Sequence, residues 1–257
     1  MKFLVFKRKS MLLWSVLAVS LAVLTAIASV TGFGVIAVGK TTRKLPIYCV
    51  DTPEKCVALT FDASWGADKT PSILSTVSEY GIKATFFCVG FWAEKYPQML
   101  KKLADSNHFE IGTHSNTHPH MAKLSQNQVK AELTTSLETI EKITGTRPSL
   151  FRAPYGEYSD TVINTASDLS LYTIQWDVDT LDWKDLSASQ IASRVLKSAK
   201  NGSIILMHND GKNTVQSLSL IIEGLKNKGY KFVSVGELIY KDNYKIDHTG
   251  KQIRIEG

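Results

Sequence analysis

The stretch Cys56–Gly66, CVALTFDASWG, decides how this chain is read. Its first seven residues form a short apolar run of the kind a buried strand shows. The run ends on Asp62, and Ser64-Trp65-Gly66 then turns the chain. Asp62 is open to two readings: an acid that caps the following turn, or a reactive group at a strand end.

Six more runs follow the same pattern: ATFFCVG, HFEIGTH, SLFRAP, YTIQWDVD, SIILMH and KFVSV. Helical stretches lie between them. Ser125 and Gln128 make a capping-box pattern, Val129, Leu133, Leu137 and Ile140 recur at helical spacing, and Gly145 stops the helix. Thr70-Pro71 opens another, with Gly81 after its end. Seven strand–helix units predict a parallel sheet, open or closed. Asp62, His114, Arg152, Asp179 and His208 all fall at or just beyond strand ends. An open sheet gathers function at one switch point between neighbouring strands. Five separated strands share one site only if the sheet curls, so we expect an α/β fold, a distorted (β/α)7 barrel with its site at the carboxyl-terminal face.

Working outward, the chain has 257 residues and a net charge of +6. Five basic residues and no acid lie in the first 40, which leaves 25 basic against 24 acidic side chains beyond them. A near-neutral domain lacks the basic excess that a binder of nucleic-acid backbones usually shows, which argues against that class. Lys7-Arg8-Lys9 precedes a run without charge up to Lys40. That exceeds the roughly 20 residues that span a bilayer, and basic residues ahead of a span stay cytoplasmic. AIA at 26–28 can be read as a signal cleavage site, but the apolar run continues past it to Val38 and favours an uncleaved anchor. The expected order is a cytoplasmic basic segment (1–10), a transmembrane helix (11–39), a linker (40–53), a domain outside the membrane (54–240) and a tail (241–257). Cys49, Cys56 and Cys88 contain no C-x-x-C pair, so a thiolate metal site is not supported. A Cys49–Cys56 bridge is open to an exported chain, and the sequence does not decide it.

The candidate reactive residues are individually weak signals. His114 and His118 stand four apart and can converge on a cation if the chain turns after its strand, although such a pair is more often two surface or core histidines. His120 reads as a solvated loop residue beyond Pro119. His208 ends an apolar strand, where a satisfied core histidine is equally common. Arg152 is either a surface ion-pair member or a group that orients a carboxylate bidentately. Asp177, Asp179 and Asp182 crowd six residues, and Asp179 is the candidate for a buried role.

Taken together, TFDASWG, HSNTH, RAPYG, DTLDW and LMH resemble, in order, the five motifs of the polysaccharide deacetylases, carbohydrate esterase family 4, or NodB-homology domain. The resemblance covers about residues 54–240, and the SWG form with the amino-terminal run is most similar to the PdaB-type sporulation subgroup. It implies an N-deacetylase of an amino-sugar polymer, with the peptidoglycan glycan strand as the plausible partner. It assigns Asp62 as general base, His208 as general acid, and His114 and His118 as metal ligands. Arg152 would position the base, Asp179 would tune His208, and the Tyr155 N–H would meet the oxyanion. Trp183 would line the groove and Leu206 the acetyl pocket. The departure is Ala63, where the family's metal triad has Asp. The resemblance aims position 63 at the space between Asp62 and the histidines, so a divalent cation, zinc or cobalt, is expected to bind weakly. The rival expectation is a non-catalytic glycan-binding protein that keeps the fold.

Overall fold

The chain joins its sheet at β1 (Cys49–Val50) and crosses it in β2 (Cys56–Ala63), an eight-residue strand buried along its whole length. Then come β3 (Ala84–Cys88), β4 (Phe109–Thr113), β5 (Leu150–Phe151), β6 (Tyr172–Thr173), β7 (Val178–Asp179), β8 (Ser203–His208), β9 (Lys231–Val233), β10 (Tyr244–Ile246) and β11 (Lys251–Arg254). The structure is a computed structural model that describes residues 19–20 and 43–255. The expected segment 1–10 and, apart from residues 19–20, the expected anchor 11–39 lie outside the described residues. Among the described residues no helix is long and apolar enough to cross a membrane.

Seven strands run parallel in the order β6-β5-β4-β3-β2-β8-β7. The first and sixth expected strands are therefore direct neighbours, with Asp62 opposite His208. The seventh, β9, pairs only with the first residues of β2, Cys56–Ala58, and β3 takes the rest of that edge. One long strand thus serves two short ones. The expected fifth strand is two: β6 pairs with β5, and after four residues β7 pairs with β8. Ile47 bridges to Ile174 while β1 pairs antiparallel with β8, so the segment leading into β1 brings the curled sheet back on itself. The barrel is irregular for that reason.

Residues set apart above as linker and tail are part of this sheet. β1 pairs in parallel with β11, and β10 pairs antiparallel with β11. The three cysteines are free and buried. Cys49 and Cys56 lie on β1 and β2, which flank β8 on opposite sides. Two strand spacings of about 4.8 Å separate them, beyond the reach of a disulfide.

Alternation along β2 sorts its side chains. Val57, Leu59, Phe61 and Ala63 join the outer apolar layer with Ile73, Val77, Ile221 and Ile222 of the covering helices. Ala58 faces inward with Phe87, Leu150, Ile174 and Ile204, where Val235 and Leu238 of a short helix also pack. Thr60 and Asp62 continue that inner row toward the strand's carboxyl end and are the polar part of it. The helix Gln126–Thr144 begins with the capping box of Ser125 and Gln128, buries the stripe read from sequence, and ends at Gly145 with φ 79°.

Candidate active site

Asp62 ends the inner row of β2, and Arg152 follows β5; both are buried. Arg152 Nη1 donates to Asp62 Oδ1 at 2.7 Å and to Thr60 Oγ1 at 2.8 Å, and Nη2 donates to the Gln175 carbonyl at 3.1 Å. Thr60 Oγ1 in turn donates a hydrogen bond to the Ile205 carbonyl at 2.7 Å. The guanidinium lies 4.2 Å from the Phe87 ring centroid. Burial by itself would raise the Asp62 pKa, but the charges of Arg152, His114 and His208 hold it below the ordinary carboxylate value. Asp62 is therefore an oriented carboxylate with Oδ2 turned to the histidines.

His114 Nδ1 lies 2.8 Å from the Arg152 carbonyl. A carbonyl only accepts, so Nδ1 carries the proton and Nε2 faces Asp62 Oδ2 at 3.6 Å. Burial lowers the His114 pKa. His118 has its ring centroid 5.0 Å from that of His114, and burial followed by His114's charge pushes its pKa down to about 4. Both imidazoles are thus neutral donors near pH 7. His118 Nδ1 is buried without a hydrogen-bond partner. His118 adopts φ 60° and Ser115 φ 68°, the turn that carries the second histidine back to the first.

On the neighbouring strand, His208 Nδ1 bonds Asp182 Oδ1 at 2.8 Å, and its backbone N–H donates to Asp182 Oδ2 at 2.8 Å. Thr214 Oγ1 donates to the same Oδ2 at 2.7 Å. Burial would lower the His208 pKa; the Asp182 hydrogen bond and charge, with Asp62 and Asp210, carry it above the ordinary imidazole value. Its Nε2 is left for the cleft. The expectation for Asp179 is corrected here: its Oδ1 accepts from the Leu181 N–H at 2.8 Å, and Asp182 holds the histidine. A left-handed residue, Leu181 at φ 55°, turns the chain so that the third acid points under His208. Asp177 instead accepts from the Ile204 N–H and the Ser203 hydroxyl. Three acids in six residues gave no sequence signal to choose among them.

These groups share a cleft of about 550 Å3 with Tyr155, Trp183, Leu206 and Asp179 in its wall. Trp65, Trp176 and Asp210 also line it and had not been singled out. Tyr155 sits in the turn Pro154–Gly156 at φ 58°, its ring stacked 4.5 Å from His120 and edge-on 4.6 Å from His118. His120 is exposed and pairs with Glu157 at 2.9 Å.

A catalytic zinc site usually has three protein ligands. The orphaned His118 nitrogen and His114 Nε2 fit two of them. Asp62 is committed to Arg152, and Ala63 is fully buried in the apolar layer, outside the cleft wall. Among the described residues no group of three His, Cys, Asp or Glu side chains is placed to hold a metal ion. The donor set does not fit a three-ligand metal.

Residues 50–174 match the family described as Polysaccharide deacetylase. The chain is 37% identical over 183 residues to a peptidoglycan-N-acetylglucosamine deacetylase of Bacillus cereus, covering 70% of this chain and 66% of that protein, less than two thirds of its length. A second Bacillus cereus protein of the same name is 34% identical, with 74% of this chain and 91% of the relative covered. A solved CE4 family pseudoenzyme from Bacillus anthracis superposes with a TM-score of 0.74 at 33% identity, covering 82% of this chain and 70% of that one. A mutant of that pseudoenzyme with restored enzymatic activity superposes with the same score at 34% identity, covering 82% and 72%.

Proposed function

Because this chain belongs to the polysaccharide deacetylase family, we propose that it is a hydrolase removing the N-acetyl group from an amino-sugar polymer, the peptidoglycan glycan strand. The observation that carries this reading is the pairing of Asp62 and His208 on adjacent strands with opposite pKa shifts. Two groups pushed apart in this way can serve as base and acid at one pH. A water oxygen attacks the acetamide carbonyl carbon, and its proton passes to Asp62 Oδ2. Arg152 holds the other oxygen and fixes the carboxylate's orientation. The Tyr155 N–H is the donor assigned to meet the oxyanion. The carbon–nitrogen bond then breaks, and the amine leaves with the proton from His208 Nε2.

The PdaB-type resemblance extends the proposal to cell-wall modification in sporulation. The uncharged amino-terminal run supports a single-pass anchor with the domain on the outer side of the membrane. A carboxyl-terminal reporter active only outside the membrane would bear this out.

One observation favours a second reading. A carboxylate held below its ordinary pKa is a weak base toward free water, and the third metal donor that would acidify the water is missing beside it. On that reading the cleft binds glycan without cleaving it. Acetate release from N-acetylglucosamine oligomers, with metal content measured in the same preparation, separates the two. Turnover supports the hydrolase; oligomer binding without turnover, with or without added zinc, supports the binder.

A further inference from the structure

Three of the exposed large apolar side chains among the described residues are aromatic: Trp65, Tyr155 and Trp183. All three border the Asp62–His208 cleft. The three residues are more than half exposed, at 57%, 58% and 57%. Three such rings left in water around one cleft mark a binding surface more than a packing defect. The two indoles lie toward different ends of it. Trp65 follows β2 but leans to the histidine pair, 5.2 Å from Phe91 and 6.0 Å from His118 between ring centroids. Trp183 follows Asp182, the carboxylate under His208, beyond β7. In the strand order β4-β3-β2-β8-β7, the histidine pair follows β4 on one side of the Asp62–His208 strands and Trp183 follows β7 on the other.

We propose that Trp65 is a sugar-stacking platform at the histidine end of the cleft, and that with Trp183 at the far end it fits the site to a chain of several linked pyranoses instead of a single amino sugar. The inference rests on the glycan reading given above, though not on turnover. A pyranose in its chair form presents a flat face of C–H bonds that covers an indole, while its hydroxyls stay at the wet edge. Such a platform is indifferent to the polar substituents of one sugar and rewards length, because each ring needs its own pyranose. Phe91 packs against the Trp65 ring at a tilt of 38°. Neither Trp65 nor Phe91 carries a charge, so an anionic partner finds nothing there to pair with.

Calorimetry on the full chain, in a His208→Ala background that stops turnover, tests this. The N-acetylglucosamine monomer and pentamer are the probes. The pentamer should bind more tightly than the monomer. Trp65→Ala should weaken the pentamer about tenfold, the loss of one well-packed aromatic contact, and leave the monomer unchanged. Trp65→Phe should retain most of the affinity, and it serves if Trp65→Ala does not fold. Unchanged pentamer affinity in a folded Trp65→Ala protein, or equal loss for both ligands, overturns the proposal. Length-dependent binding that needs Trp65 while wild type releases no acetate sustains the platform and removes the hydrolase. Acetate release at every length with no Trp65 effect does the reverse.

Discussion

Asp182 holds His208 by two bonds, one to the ring and one to the backbone of the same residue. The carboxylate therefore fixes both where the imidazole stands and which way it faces. A positively charged ring is favoured in that grip, so the acid form persists to higher pH than a free histidine's. Its contribution to activity is present below the raised pKa and fades as pH climbs through it. Asp182→Asn should bring the descending limb of kcat/KM to lower pH and reduce the plateau about tenfold or more. Asp179→Asn should leave that limb in place. Profiles of both variants decide the assignment; a limb that moves with Asp179 instead would restore the earlier expectation.

Removing the carboxylate of Asp62 should be felt in catalysis before folding. Asp62→Asn still offers Arg152 an oxygen, so a loss of about 1–3 kcal/mol is expected, with activity down at least about 100-fold. Arg152→Ala is the harsher change, at about 3–5 kcal/mol, because it strands a buried charge. Urea titrations measure both. The sign for pH is the reverse of that for His208: the lowered Asp62 pKa stabilises the fold above the ordinary carboxylate value, and this is lost as pH falls through the lowered one. Equal stability of the two variants would mean that the ion pair is not what holds this end of the sheet.

Ala63→Asp should first destabilise. Position 63 is filled by a methyl group in a closed apolar layer, and a carboxylate there costs about 1–3 kcal/mol unless it finds a partner. The strand ends at this residue, so a longer side chain can turn toward His114 and His118. Zinc should then raise the melting temperature of the variant by more than that of wild type, through binding to the folded state. A variant with a lowered melting point that zinc does not move would show that position 63 has no access to the histidines.

Gly202 makes a further test. It adopts φ 76°, and a Cβ there would come within 1.9 Å of the Val50 carbonyl oxygen. Gly202→Ala should cost at least about 2 kcal/mol by parting β1 from β8. Thermal unfolding reads it directly, and a change under about 0.5 kcal/mol would show that β1 adds little.

The sequence showed most of what is regular and little of what depends on contacts between distant residues. β2, β3, β4 and β8 are five to eight residues of mostly apolar chain, and their runs are visible without a structure. β1, β10 and β11 are short and partly polar, and exist because they pair with one another and with β8. Strand ends pointed to Asp62, His114 and His208, which the fold brings to one cleft, and to Arg152, which is buried behind Asp62. The choice of Asp182 over Asp179 turns on one left-handed residue. Trp65 stood in the opening stretch but carried no chemical signal; its exposure at a cleft is a tertiary fact.

β1 and β11 lie side by side and point the same way, with Cys49 beside Lys251 and Val50 beside Gln252. Tension applied between Arg43 and Ile255 would therefore pull the two strands past each other lengthwise. Their hydrogen bonds would be loaded together, in shear, instead of opening one at a time from an end. A pull on the two ends of residues 43–255 meets at this pair, and the domain resists it there in shear.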